Sequence, residues 1–289
     1  MNGKDKDDIK LQVMICTFGA DGIKRVAQSS HPRVPGVEYL VSWQTDAPLP
    51  IPDTLLRDDI KIYSTPTKGL SVNRNHALSK ASAPLLLIGD DDADYRAEGL
   101  STVIDSFLRN PHTDIMAFRF DSISIKKYYP DHQYDFGKRI KGHYISSIEI
   151  AFRKDSVKGK IWFNEHFGIG AIFPSGEEDI FLQDCLEAGL KCMYIPKSIV
   201  RHDASTTSER NLMSDSRPQT LGAVFMRLHP ESWKARMLVH AMREIPSWLK
   251  GKVPSPVHFV SNWIKGARLA KKMAVFPTPN HTEKYLHDE

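Results

Sequence analysis

At 289 residues, with 41% hydrophobic and 26% charged side chains, the chain has the make-up of a globular protein that can bury its own core. Three cysteines, Cys16, Cys185 and Cys192, with no Cys-x-x-Cys pair, exclude a disulfide scaffold and a cysteine-rich zinc site and point to a reducing compartment. The net charge of +4 is uneven: residues 211–289 carry twelve Lys/Arg against six Asp/Glu, which leaves the first 210 residues at −2 and predicts an acidic partner for the tail alone. No nucleic-acid partner is expected. The start, Met1 to Lys10, is too polar for a signal-peptide core, and no apolar run nears the ~20 residues that span a bilayer. The expected location is cytoplasmic, with at most peripheral contact on the inner face of a membrane.

In chain order, Leu11 to Cys16 is a short apolar run that reads as a buried strand entering a turn at Thr17-Phe18-Gly19. Val37 to Trp43 is a second strand, followed by a loop holding Pro48, Pro50 and Pro52. Ile60 to Tyr63 is a third. Ser71 is expected to cap a helix that runs to about Ala81, before Pro84. Leu85 to Ile88, apolar on both faces, reads as a central strand. Leu100, Val103, Ile104, Phe107 and Leu108 repeat at helical spacing, and Ile115 to Phe120 returns as a strand. Tyr128 to Trp162 is irregular, around a strand near Ile148 to Phe152. A helix with Phe181, Leu182, Cys185 and Leu186 precedes a strand from Cys192 to Ile195 that Pro196 is expected to stop. Three helical stripes follow, around Leu221–Leu228, Trp233–Ile245 and Val260–Met273.

The alternation predicts an α/β domain over 1–210: a Rossmann-like, mostly parallel twisted sheet with helices on both faces, plus a basic helical extension over 211–289. In such sheets ligands sit beyond the carboxyl ends of the strands, where Thr17, the Trp43-Gln44 corner and Asp90-Asp91-Asp92 all fall.

Four patterns can carry chemistry. Three carboxylates after the apolar Leu85–Ile88 run repel one another unless a cation or solvent relieves them, and a hard divalent ion takes one or two carboxylates beside phosphate oxygens. A solvated acidic turn is the plain alternative. In Lys68-Gly-Leu-Ser-Val-Asn-Arg-Asn75, Arg74 lies near a helix start that favours anions, although an arginine on a helix is usually a surface residue. Ser175-Gly-Glu-Glu-Asp179 opens a helix, where capping explains one carboxylate but not three, and Phe167-Gly-Ile-Gly170 supplies a pliant loop before it. His202, at a strand end before Ser205 to Ser208, is a lesser metal or diphosphate candidate beside an ordinary structural histidine.

A first strand ending in Thr-Phe, then Gly-x-Ser-x-x-Arg-Asn, then an apolar strand ending in Asp-Asp-Asp, then Gly-Glu-Glu-Asp before a helix, resembles family 2 of the glycosyltransferases, with the GT-A fold, over about Leu11 to Ser208. The resemblance implies a nucleotide diphosphate sugar donor, with UDP the expected nucleotide, and a divalent cation, Mn2+ or Mg2+. It implies Asp90 and Asp92 as the outer carboxylates at the metal and diphosphate, Asp92 the nearer ligand; His202, from its strand-end position, is a further metal candidate. Donor contacts are then expected of Thr17, Phe18, Arg74, Asn75 and Asp91. The family's acidic pair after the second strand is absent, so Gln44 or Asp46 is expected at the base. Asp179 matches the family's catalytic base with Glu178 beside it, and Gly170 and Glu177 fall on the acceptor side.

The implied reaction is an inverting displacement onto a hydroxyl of a glycan or lipid-linked acceptor, of the kind that builds bacterial-type surface polysaccharide or glycolipid. A sugar-nucleotide nucleotidyltransferase would want a Gly-rich basic first loop that Thr17-Phe-Gly-Ala-Asp21 lacks. A non-catalytic carbohydrate- or nucleotide-binding protein would not need the carboxylates. The tail, with Trp263, Ile264, Lys265, Arg268, Lys271 and Lys272, is expected either to meet an anionic membrane or to pack on the main body.

Overall fold

The computed structural model describes residues 10–137, 140, 142–203 and 213–286. The Ser205–Ser208 loop and the expected boundary at 210/211 lie outside the described residues.

Among the described residues nine strands form one sheet in the order β3-β2-β1-β4-β8-β6-β9-β5, with β7 (Tyr134–Asp135) added to β9. One half is parallel: β1 (Leu11–Phe18) lies between β2 (Val37–Gln44) and β4 (Leu85–Asp90), and β3 (Ile60–Thr65) joins β2. The other half is mixed, because β8 (Ile150–Arg153) runs antiparallel to both β4 and β6 (Ile115–Asp121). β9 (Cys192–Arg201) is parallel to β6, while β5 (Asp94–Tyr95) runs antiparallel to β9. The sheet is therefore less parallel than its first half implies. β8 is four residues long and follows an irregular connection, so its direction leaves no periodic trace in the sequence.

Pro196 does not stop β9. The register against β6 slips between Ala117–Tyr194 and Arg119–Ser198, and the proline sits within that irregularity, where its missing N–H costs no ladder bond. α1 (Gly19–Gln28) follows β1 directly where a turn was expected. α2 (Leu70–Lys80) starts after Gly69, so Ser71 lies inside the first turn, and its hydroxyl donates to the Phe167 carbonyl at 2.7 Å instead of capping.

α1 and α3 (Ala97–Arg109) cover one face of the sheet, burying Ile23, Val26, Leu100 and Phe107 against Val13, Ile15 and Leu87. α2 and α5 (Glu177–Glu187) cover the other, with Ala77, Leu78 and Phe181 against Met14, Leu86 and Phe152. α4 (Lys154–Val157) is a single turn after β8.

The C-terminal helices are α6 (Ser216–Leu228), α7 (Trp233–Leu249), α8 (Pro256–Lys272) and α9 (Thr282–Leu286). They share cores with the preceding chain: Ala223, Val224 and Ala270 pack with Phe167, Phe173 and Ile180. In α9, Tyr285 stacks on Trp162 and donates to Glu165 at 2.6 Å. Trp263 is fully buried between Phe225 and Phe259, so it is not available as an exposed membrane contact. No helix among the described residues is long and apolar enough to cross a membrane.

α6 and α8 cross closely through Gly222 and Gly266. A Cβ on Gly222 would lie 2.0 Å from the Trp263 carbonyl oxygen, and one on Gly266 would lie 1.9 Å from that of Gln219. Backbone cannot rotate aside as a side chain does. Gly222→Ala is therefore expected to force the helices apart and destabilise the protein by roughly 1–3 kcal/mol, the usual cost of overpacking, read from a urea-unfolding midpoint.

Candidate active site

Strand ends gather the chemistry. β1 and β4 are neighbours, so Cys16 pairs in register with Asp90 and the loops after both strands open on the same edge. The three aspartates there have three different partners. Asp91 turns inward: it accepts from the Thr17 hydroxyl at 2.6 Å and from Arg25 of α1 at 3.0 and 2.7 Å. Gly22 makes room for this, since a Cβ on it would meet the Thr17 hydroxyl at 2.1 Å. Asp91 and Thr17 thus fasten α1 to the end of β4.

Asp92 faces the opposite side, 2.9 Å from Nε2 of His202 just past the end of β9. Each stabilises the other's charge: the hydrogen bond holds the Asp92 carboxyl below the usual range and raises the His202 imidazole. Burial pushes the Asp90 carboxyl up, against the pull of Arg74 and His202. Sequence separates Asp92 and His202 by 110 positions, and only the β5–β9 pairing brings them together.

Arg74 is 2% exposed. Its guanidinium lies 2.8 Å from Glu177 of α5 and 3.7 Å from Asp90, over the ring of Phe163. In this arrangement it spans the acidic strand end and the acidic helix start. Burial opposes its charge, but Glu177 and Asp90 hold it protonated.

α5 begins after Gly176, whose φ of +92° favours glycine, and its first turn holds Glu177, Glu178 and Asp179. The carboxylates are not equivalent. Glu177 is spent on Arg74. Glu178 is pushed well above the usual carboxylate range, first by burial and then by Glu177 and Asp179, and its Oε2 has no hydrogen-bond partner among the described residues. Asp179 is half-buried. The turn at Gly168 and Gly170 is fixed on the start of α2, where the Leu70 amide donates to the Ile169 carbonyl at 2.9 Å.

Gln44 is buried, and its amide donates to Thr67 at 3.0 Å and to the Gly69 carbonyl at 3.1 Å, bracing the loop before α2. Asp46 is exposed and lies 3.9 Å from Lys68. Asn75 is fully enclosed, and its amide exchanges hydrogen bonds with the backbone of Phe163. It supports the floor of the site. Phe18 is 55% exposed at the end of β1.

One group beside the site went unnoticed in the sequence. Lys127, buried just before the irregular segment, pairs with Glu149, donates to Ser146 at 3.0 Å and lies 4.2 Å from the centre of the Tyr144 ring. Burial pushes its ammonium down, against the pull of Glu149, Glu178 and Asp179. Tyr129 also donates to Glu149, at 2.5 Å. The visible trace was Ser146-Ser-Ile-Glu149, a capping-box pattern that the structure forms.

A mixed α/β sheet with helices on both faces and an acidic strand end is the architecture of the GT-A fold. Residues 44–174 match the family model described as glycosyl transferase family 2. Over that segment the chain is similar to the family 2 glycosyltransferases. A crystal structure of S. aureus TarS 1-349 is similar at 14% identity and a TM-score of 0.51, with 92% of each chain covered. The same fragment in complex with UDP-GlcNAc is similar at 15% identity and 0.52, again over 92% of each chain. A longer S. aureus TarS structure aligns at 14% identity and 0.51, over 91% of this chain and 55% of that one. At these identities the likeness carries the fold. No curated protein sequence matches the chain.

Proposed function

We propose that the enzyme is an inverting transferase that takes its sugar from a nucleotide diphosphate donor, of the UDP class, and places it on a hydroxyl of a glycan or lipid-linked acceptor. The observation that carries this reading is the division of the acidic groups. Asp92 and His202 face each other at the strand ends, while Asp179 stands on a separate helix, in the turn whose Glu177 pairs with the buried Arg74. A leaving group and an attacking hydroxyl need such separate neighbourhoods, because a carboxylate engaged with a cation is a poor proton acceptor. The UDP-GlcNAc complex of the similar TarS fragment supports the choice of nucleotide.

A divalent cation fits the donor set in part. Among the described residues no three His, Cys, Asp or Glu side chains converge as a metal cluster. Asp92 and His202 offer one oxygen and one nitrogen, with Asp90 beside them, a set suited to Mn2+ or Mg2+ whose remaining ligands come from diphosphate and water. When bound, the cation would neutralise the charge that develops on the departing diphosphate. Asp90, held by Arg74, orients the loop, and Phe18 offers a ring to the nucleobase. Asp179 accepts the acceptor's proton as its oxygen attacks. Lys127 keeps positive charge near the α5 carboxylates.

Asp92→Asn is expected to weaken Mn2+-dependent UDP binding by at least the roughly 10- to 100-fold that loss of even an outer-shell partner costs. Asp91→Asn should spare it, because Asp91 is spent on Thr17 and Arg25. The readout is the UDP-induced rise in melting temperature with Mn2+ and with chelator. An equal rise in both conditions counts against the site.

A further inference from the structure

Helix α7 has two apolar faces, and among the described residues only one is covered. Met237 and Ala241 enter a cluster with Phe259 and Trp263 of α8. About a quarter-turn round the helix Leu238, Met242, Ile245 and Leu249 recur at steps of four, three and four, which places them on one stripe along it. All four are exposed, Met242 at 59% and Leu249 at 72%, and Trp248 at the same helix end is 42% exposed. Scattered exposed apolar residues need no explanation, but a continuous stripe of large ones marks a contact surface.

The rim of the stripe is basic. From Trp233 to Lys252 the chain carries Lys234, Arg236, Arg243, Lys250 and Lys252 against Glu244 alone, and Glu244 is already paired with Arg217 at 2.8 Å. At about 100° per residue Lys234 and Lys250, both exposed, flank the stripe on its two sides, whereas Arg236 and Arg243 lie on the far side of the helix from it. On the neighbouring helix α8, Lys265, Arg268, Lys271 and Lys272 are also exposed.

We propose that this face of α7 docks on an anionic lipid surface, the helix lying in the headgroup plane with Leu238, Met242, Ile245 and Leu249 inserted. Charge complementarity decides the occupant. A second copy on the same face would set one basic rim against another, whereas an anionic leaflet attracts each Lys and Arg near it. An apolar stripe with a cationic border is the pattern of helices that lie in a membrane interface. Trp248 suits the same plane, with an apolar body and a polar N–H. This inference does not depend on the catalytic reading.

Vesicle flotation with the full chain tests it. Binding is expected at low salt to mixed phosphatidylglycerol–phosphatidylcholine vesicles, at least about tenfold weaker to pure phosphatidylcholine, and lost at high salt. Met242→Asp combined with Ile245→Asp should abolish binding while leaving the melting temperature unchanged, since both side chains point to solvent. Lys234→Gln combined with Lys250→Gln should weaken it by roughly 30-fold, from the loss of two basic charges near an anionic surface. The lysine pair decides the matter if the aspartate pair fails to fold. Absence of flotation at low salt, or equal binding by the lysine variant, overturns the proposal. So does a dimer in sedimentation that the aspartate variant dissociates while vesicles are ignored, which would give the face to a second copy.

Discussion

Asp179→Asn is expected to lower sugar transfer by roughly 100- to 10,000-fold, the loss typical of removing a general base, while UDP binding stays nearly intact. The choice among three consecutive carboxylates rests on their surroundings. Glu177 accepts from Arg74 at 2.8 Å through Oε1, and this ion pair ties its carboxylate to the buried guanidinium. Glu178 is raised well above the carboxylate range by burial and by its two acidic neighbours, which favours its protonated form over the charged one. Asp179, half-buried, is the member of the turn suited to accept one. The asparagine keeps its shape and removes its basicity. Single-turnover transfer should therefore fall while nucleotide affinity, measured by calorimetry, does not. If Asp179→Asn transfers normally and Glu178→Gln does not, the base is Glu178. If every variant in the turn stays active, the segment only starts a helix and the proposed mechanism fails.

Arg74→Met should destabilise the protein by about 3–5 kcal/mol, the cost of leaving a buried carboxylate without its partner. Arg74 is enclosed between Glu177 and Asp90, with Phe163 beneath it, so water cannot replace the guanidinium without opening the core. The sign of the companion change follows. Glu177→Gln on the Arg74→Met background should recover part of the loss, because a neutral amide costs far less to bury than an orphaned carboxylate. A double-mutant cycle in urea unfolding reads that coupling directly. Additive losses would mean the pair does not interact as placed. Arg74→Lys should restore charge but not both contacts, since one ammonium cannot span two carboxylates as a planar guanidinium does.

The first half of the fold was legible in sequence because its signals are local. Leu85–Ile88 is apolar on both faces, as a central parallel strand must be, and the steps between such runs fix right-handed crossovers that bring their carboxyl ends to one edge. The same logic placed Thr17, Gln44 and Asp90 at that edge. Sequence could also say that three aspartates after a buried strand need company. It could not say which company, because partners come from elsewhere in the chain. Thr17 and Arg25 claim Asp91, His202 meets Asp92 through a β5–β9 pairing across 110 positions, and Arg74 finds Glu177 across 103. The direction of β8, the passage of β9 through Pro196 and the burial of Lys127 were likewise decided by packing. The tail shows the difference most plainly. Helical periodicity marks Trp263 and Leu238 equally as apolar, since hydrophobicity is a property of the residue. Which of them is buried depends on where the neighbouring helix lies, and only the α7–α8 contact turns Trp263 inward and leaves Leu238 facing out.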